Sequence, residues 1–567
     1  MTPLYPQVPL RSPETVMRLS RMGAFHQSRL SFMRVLLRRM AAESWRVERS
    51  RWEVDGRGVG VAVYTAHTPT RSYSLVCFAH DLPPSMRSDR VIATAWDATF
   101  TLRHGIPDTE TIKRLADNVP HQEAGRISDT ELVLARANRS VRLFEHVVAS
   151  LAAGRQPETD EVARVGYLMR TTAVYGAGKF GAADREVLGT HEALDGPFRA
   201  EMLAVYLIRL FSLDMVEHLA RARAPDTATL LAPAIRRRFG IGNATGLGMA
   251  PFLINHPTLL NNWMMARETA LARVRALPTA EPAERDRFHS LLRRAMVNAA
   301  EWSTGHPLQL VRVEALREDL AQLVAHLDGT GLAGSRPWDR LYRWAEDNLS
   351  VEGQEQLVSL LLEPYPHLVD GLADCMSADE PRTFRIDGAM TVDEARAHLE
   401  AIYDWALEID FDDPSACQHV WYVSEEKLEP RLGPRFGEEA LEPYEQPLAP
   451  GRDAARMHRD LVVSWPQDSV AGFLLDHPQH RHMVRRLQMA VRHPYAEIRD
   501  NTIGEDLLPI DILRCKLSFF GATRFDPRSD RWVQIVMYQG APFPAELDAD
   551  SAEDWIYPPE EAACTTP

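Results

Sequence analysis

The chain has 567 residues, 45% of them hydrophobic and 25% charged, with a net charge of -15 at neutral pH. That length exceeds one ordinary core, so several domains are expected, and the composition is that of a folded chain. The acidic balance speaks against general nucleic-acid binding, and no apolar stretch reaches the roughly 18–20 residues that a membrane span needs.

Residues 1–107 open with Met17 to Met40, whose Leu19, Met22, Phe25, Leu30, Met33 and Leu37 predict an amphipathic helix. Four strands follow, at Trp45–Val54, Val59–Thr65, Tyr73–Ala79 and Val91–Leu102, with Asp55-Gly56 marking a hairpin turn. They predict a small antiparallel sheet.

From 108 to 420 the pattern is helical. Asp108 or Thr109 caps the first helix, and Ser128-Asp-Thr-Glu131 has capping-box spacing for the next. Long helices are expected at Thr159–Thr172, Phe198–Ala222, Pro257–Leu277, Glu281–Trp302, Leu308–Leu327, Trp338–Asn348, Gly353–Leu361 and Thr391–Leu407.

The remainder, 421–567, is proline-punctuated and loop-rich, with helices expected at Arg456–Val463 and Pro478–Arg492. Leu517–Arg524 and Trp532–Tyr538 predict a hairpin that joins the N-terminal sheet. The expected fold is therefore α+β and predominantly α-helical: a large central helical region, an N-terminal antiparallel sheet and a C-terminal β-hairpin. Residues 1–50 carry nine arginines and three acids, while 541–567 carry seven acids and no base. Opposite charge lets the two ends attract each other, within a protomer or between protomers, but solvated tails are the plainer expectation.

Five scattered cysteines without a Cys-x-x-Cys pair are the usage of a reducing compartment. The first residues lack an apolar signal core, so a cytoplasmic location is expected. Among 64 basic residues just four are lysines: Lys113, Lys179, Lys427 and Lys516. Such a bias is that of a GC-rich bacterial genome. A lysine retained against it suggests a place where a compact ammonium, or an amine able to lose its proton, is required.

Lys179 lies in Gly176-Ala-Gly178-Lys179-Phe-Gly181, a literal G-x-G-x-x-G match that follows the apolar run Thr171–Tyr175. Such a loop brings backbone amides close to an anion, and in a dinucleotide fold it holds a pyrophosphate. The competing reading is a glycine-permitted break between packed helices. A second loop, Gly240–Gly248, places Gly242, Asn243, Thr245 and Gly246 together as a nest of donors. Nine asparagines occur in the chain, and Asn243, Asn255, Asn261 and Asn262 fall within twenty residues, around His256-Pro257. Neutral amides, an imidazole and a glycine nest suit the orientation of a small polar ligand; helix capping and solvent exposure are the plainer account.

Asp214 and His218, four apart on one helix, have metal-compatible spacing, as does His477-x-x-His480-x-His482. Neither has a complete set of further ligands in sequence, so no metal is expected. Lys516, beside Arg514 and Cys515, is expected at the start of a strand, facing a cleft or guarding a sheet edge.

These features lead to an expected enzyme of lyase or isomerase type acting on a small anionic metabolite, carboxylate or phosphate. Lys179, Tyr175 and His256 are its catalytic candidates, and Gly178, Gly242, Asn243, Thr245, Gly246, Asn261, Asn262 and Lys516 its binding candidates. No cofactor is favoured. A flavin or NAD(P) enters with the alternative, an oxidoreductase using the Gly176–Gly181 loop. A third reading is a non-catalytic assembly protein. Partners are expected to be the substrate and further copies of the chain, without nucleic acid or membrane.

Overall fold

The computed structural model describes residues 8–81, 97–121, 128–140, 142–171, 173, 181–182, 185–243, 256–302, 304–305, 307–376, 384–413, 422–423, 430–431, 449–499, 508–526 and 534–557. The chain divides into two compact units. A sheet unit comprises His26–Gly246, Lys516–Asp526 and Gln534–Pro567; a helical unit comprises Met1–Phe25, Leu247–Cys515 and Pro527–Val533. This division cuts across the consecutive ranges 1–107, 108–420 and 421–567, because the sheet is assembled from strands far apart in sequence.

Among the described residues the strands are β1 (Arg46–Val54), β2 (Gly60–His67), β3 (Ser72–Ala79), β4 (Ala98–His104), β5 (Glu131–Arg139), β6 (Tyr167–Thr171), β7 (Gly181–Ala182), β8 (Gly240–Asn243), β9 (Tyr422–Val423), β10 (Pro430–Arg431), β11 (Arg524–Asp526) and β12 (Gln534–Met537). All but β9 and β10 form one sheet in the order β1-β2-β3-β4-β5-β6-β8-β12-β11, with β7 beside β5. The pair β6–β8 is parallel, and the other neighbours are antiparallel. The expected small antiparallel sheet is thus corrected to a large mixed one. The C-terminal strands enter it through β8, with Ile535 opposite Asn243.

Both faces of the sheet are covered. Val63, Val76, Phe78 and Leu134 meet Ile112 and Leu115 of α2 (Thr109–Asn118), which follows α1 (Phe32–Ala42) in the chain. On the other face Trp52 and Phe100 lie 6.2 and 5.5 Å, ring to ring, from Phe211 of α3 (Arg199–Arg223). Burial on both faces removes the alternation that normally marks a strand. That explains two corrections. Glu131–Arg139 follows a capping-box sequence but is β5, its Leu132, Val133, Leu134 and Ala135 all buried. The helix expected over Thr159–Thr172 stops at Val165, where Gly166 turns the chain at φ 74° into β6.

Two further expectations fail. Met17–Met40 is one short helical turn, Leu19–Met22, and then α1 from Phe32; at Gly23 between them the backbone of Arg514 approaches to 2.3 Å of where a Cβ would sit. Leu517–Arg524 begins as helix: Pro509–Phe520 is helical, with 510–520 buried, and β11 is confined to three residues.

In the helical unit, long helices run over Pro257–Arg275, Pro282–Ala300, Pro307–Thr330, Pro337–Asn348 and Val351–Leu362. Proline begins four of them, where a missing N–H costs nothing. Buried ion pairs join them: Arg11 reaches Glu268 and Glu355 at 2.8 Å each, and Arg514 reaches Glu352 at 3.1 Å. A separate core gathers α4 (Val392–Leu407), α5 (Ala449–Val463), α6 (Val470–Asp476) and α7 (Arg481–Arg492) around Leu399, Met457, Phe473 and Leu487. Among the described residues no helix is long and apolar enough to cross a membrane.

Candidate functional site

The parallel pair β6–β8 defines a distinctive edge of the sheet unit. Parallel strands need a crossover, and here the connection includes α3, whose 25 residues pack along the sheet. The carboxyl ends of β6 and β8 therefore share one edge, with Thr171 and Asn243 as the last strand residues. In open α/β sheets ligands gather at such carboxyl ends. Residues 174–180 and 244–255, which follow these ends in sequence, are outside the described residues.

β8 is held tightly. Gly240 N–H donates to Gly166 O at 2.8 Å. A Cβ on Gly240 would lie 2.3 Å from Met537 O, and one on Gly242 would lie 2.9 Å from Arg170 Cγ. These glycines let neighbouring strands approach, so Gly240–Asn243 is strand rather than the expected anion-binding loop. Arg209 of α3 anchors the entry to β8, donating from Nε to Phe239 O at 2.7 Å and from Nη1 to Ala541 O at 2.9 Å.

Into this edge the 509–520 helix brings Lys516. Its Nζ donates to Asn243 Oδ1 at 3.0 Å, and Asn243 Nδ2 faces Thr171 O at 3.5 Å. Lys516 and Asn243 are both buried. Burial disfavours the ammonium, pulling the amine down to about 7. At neutral pH such an amine exists in both protonation states, as a general base, acid or carbonyl-attacking nucleophile requires. Lys516 is thus a buried helical lysine and not the strand-start or edge lysine expected.

The other candidates separate. His256, Asn261 and Asn262 belong to the helical unit. His256 holds the N-cap position before Pro257, without a side-chain cap bond. Asn261 accepts from Tyr495 N–H at 3.1 Å and donates to Asn262 Oδ1 at 3.2 Å, a structural use of its amide. Lys179, Tyr175, Gly178, Thr245 and Gly246 lie outside the described residues. Asp214 and His218 do not form a metal pair: Asp214 takes Arg236 at 2.9 Å and the Tyr64 hydroxyl at 2.7 Å, while His218 Nε2 bonds Asp55 O at 2.8 Å. Thr171 was not singled out from sequence, and nothing in its surroundings there marks it; it enters through the strand pairing alone.

Comparison with family models, curated protein sequences and solved structures finds no match to this chain.

Proposed function

We propose that the protein is an enzyme acting on a small anionic metabolite, a carboxylate or phosphate, by lysine-assisted proton transfer of lyase or isomerase type. The observation that supports this reading is the buried Lys516 amine bonded to Asn243 at the carboxyl ends of the parallel strands. An amine near pKa 7 takes a proton from carbon or returns one without leaving the physiological range. Asn243 holds Nζ in a fixed direction. Since Nζ is closed to bulk water in this structure, the reading requires that a small ligand reach it by displacing part of its present surroundings.

Native mass spectrometry of the full chain against a panel of small carboxylates and phosphates tests the proposal, with Lys516→Met and Lys179→Arg as comparisons. The expected result is a bound anion with measurable turnover, and turnover lost in a folded Lys516→Met protein. A panel without a binder, or a Lys516→Met protein with full turnover, overturns it.

One observation favours the oxidoreductase alternative: Thr171 ends a strand, not a helix, shortly before Gly176-x-Gly178. Against it, the helix described next after the glycines, Arg185–Gly189, has five residues, and β8 is the one described strand parallel to β6. A dinucleotide fold uses several parallel strands and a full helix at the phosphates. Yellow absorbance of the purified protein would favour a flavin over the lyase reading. The assembly reading loses part of its charge argument, since Arg29 of the basic start pairs with Glu553 of the acidic end at 2.7 Å within one chain.

A further inference from the structure

Asp460, His477 and His480 of the helical unit bring one ligand atom each within 4.8 Å of one another. Local structure explains why. α6 ends at Asp476, and Pro478 cannot continue it, so the chain makes a single tight turn over Pro478–His480 before α7. In such a turn residues three apart eclipse, which puts the imidazoles of His477 and His480 on one side. The ring of Phe473 stacks with both, at 4.8 and 5.8 Å between centroids, and limits their rotation. Across from them α5 turns its Ala454, Met457 and Leu461 into the core, leaving Asp460 at the rim.

The three side chains converge on one oxygen. Asp460 Oδ2 lies 2.7 Å from His480 Nε2 and 3.5 Å from His477 Nδ1. The first distance is a hydrogen bond; the second is too long for a good one, yet the nitrogen points at the same place. Ligand atoms about 2.1 Å from a tetrahedral ion lie about 3.4 Å from one another. The His477 separation already has that value, and a rotation of the half-exposed Asp460 side chain widens the other. Gln479 Nε2 is 3.5 Å from both Asp460 Oδ2 and His477 Nδ1. An amide flip, which leaves the side-chain shape unchanged, would offer Oε1 there as a fourth donor.

We propose that Asp460, His477 and His480 form a binding site for a divalent first-row transition ion of the zinc type, tying α5 to the turn between α6 and α7. Two imidazoles and one carboxylate suit such an ion, while calcium and magnesium prefer all-oxygen shells. His482, the third histidine of the sequence motif, is exposed and outside the group. The proposal is independent of the Lys516 site.

Calorimetric titration of the chelator-treated full chain with zinc chloride tests it, beside magnesium chloride. The expected result is one saturable zinc site, weakened at least about tenfold by His477→Ala and by Asp460→Asn, and unchanged by His482→Ala. Circular dichroism checks that the variants fold; His477 and Asp460 are partly exposed, so both substitutions leave the core intact. Absence of saturable zinc binding to the unmutated chain overturns the proposal, whatever the variants do. So does zinc binding that survives His477→Ala undiminished, which would assign the ion to other side chains.

Discussion

Lys516 Nζ donates to Asn243 Oδ1 across 273 positions of sequence, at 3.0 Å inside the sheet unit. The contact joins a helix to the end of a strand, and it makes stability depend on pH. The folded amine sits at about 7, below the ordinary 10.5. Between those values the unfolded chain holds a proton that the folded chain has released. Stability therefore rises with pH across that window, by up to about 1.4 kcal/mol per unit from this group, and its full cost is present below about 7. Lys516→Met is expected to remove that slope. Asn243→Asp, which puts a carboxylate beside the amine, is expected to restore its affinity for the proton and flatten the slope as well. Urea unfolding from pH 7 to 10, each variant subtracted from the parent, reads both effects; identical slopes would refute them.

Arg209→Lys tests how firmly the site is anchored. The guanidinium reaches carbonyls of Phe239 and Ala541 with separate nitrogens and lies 4.4 Å from the Phe543 ring centre. A lysine cannot span both carbonyls in that plane, so a buried acceptor loses its donor. A loss of about 1–3 kcal/mol is expected in denaturant unfolding, together with any turnover that depends on β8.

In the helical unit, Glu355 receives Arg11 at 2.8 Å and also pairs with Arg267. Burial alone would raise its carboxyl, but the arginines overcome this and hold it down to about 2. Its contribution to stability is therefore complete above the ordinary value of 4.5 and lost as pH falls through about 2. Glu355→Gln removes the carboxylate that Arg11 and Arg267 share, leaving Glu268 as the remaining anion beside both, and is expected to cost about 3 kcal/mol at pH 7. Unfolding measured down the acid limb checks the sign: the gap between parent and variant should close as pH approaches about 2.

How far sequence reaches into this molecule depends on burial. The helix Pro337–Asn348 is legible because Trp338, Leu341, Tyr342 and Ala345 make one apolar stripe beside charged residues. Leu132–Ala135 of β5 and Leu517–Phe520 are not, because burial on all sides leaves strand and helix with similar short, mostly apolar runs. Lys516 was legible as a scarce lysine, and Asn243 as a member of an asparagine cluster. Their contact was not legible, since it follows from a parallel pairing that turns on Gly166 ending a helix early. The site also omits Asn261, whose amide serves Tyr495 instead. The Asp460 partner of the histidine motif stood outside any spacing rule, because a different helix supplies it.

The glycines of β8 give the sharpest contrast between shape and flexibility. If Gly240 were required for a mobile anion-binding turn, alanine there would impair ligand binding while leaving the fold largely intact. The packing argues otherwise. A Cβ at Gly240 meets Met537 O at 2.3 Å and Gln539 N at 2.8 Å, both backbone atoms that cannot swing aside. Gly240→Ala must push β12 from β8, and a loss of at least about 2–3 kcal/mol is expected. Gly189 provides the control: it ends a short helix, and a Cβ there meets nothing within 4 Å. Gly189→Ala should be neutral, or stabilising by up to about 1 kcal/mol, because it restricts the unfolded chain. Thermal and urea unfolding of the two variants, measured side by side, separates the accounts. A Gly240→Ala protein as stable as the parent would mean that β12 does not press against β8 as described, and the edge that carries Asn243 would have to be redrawn.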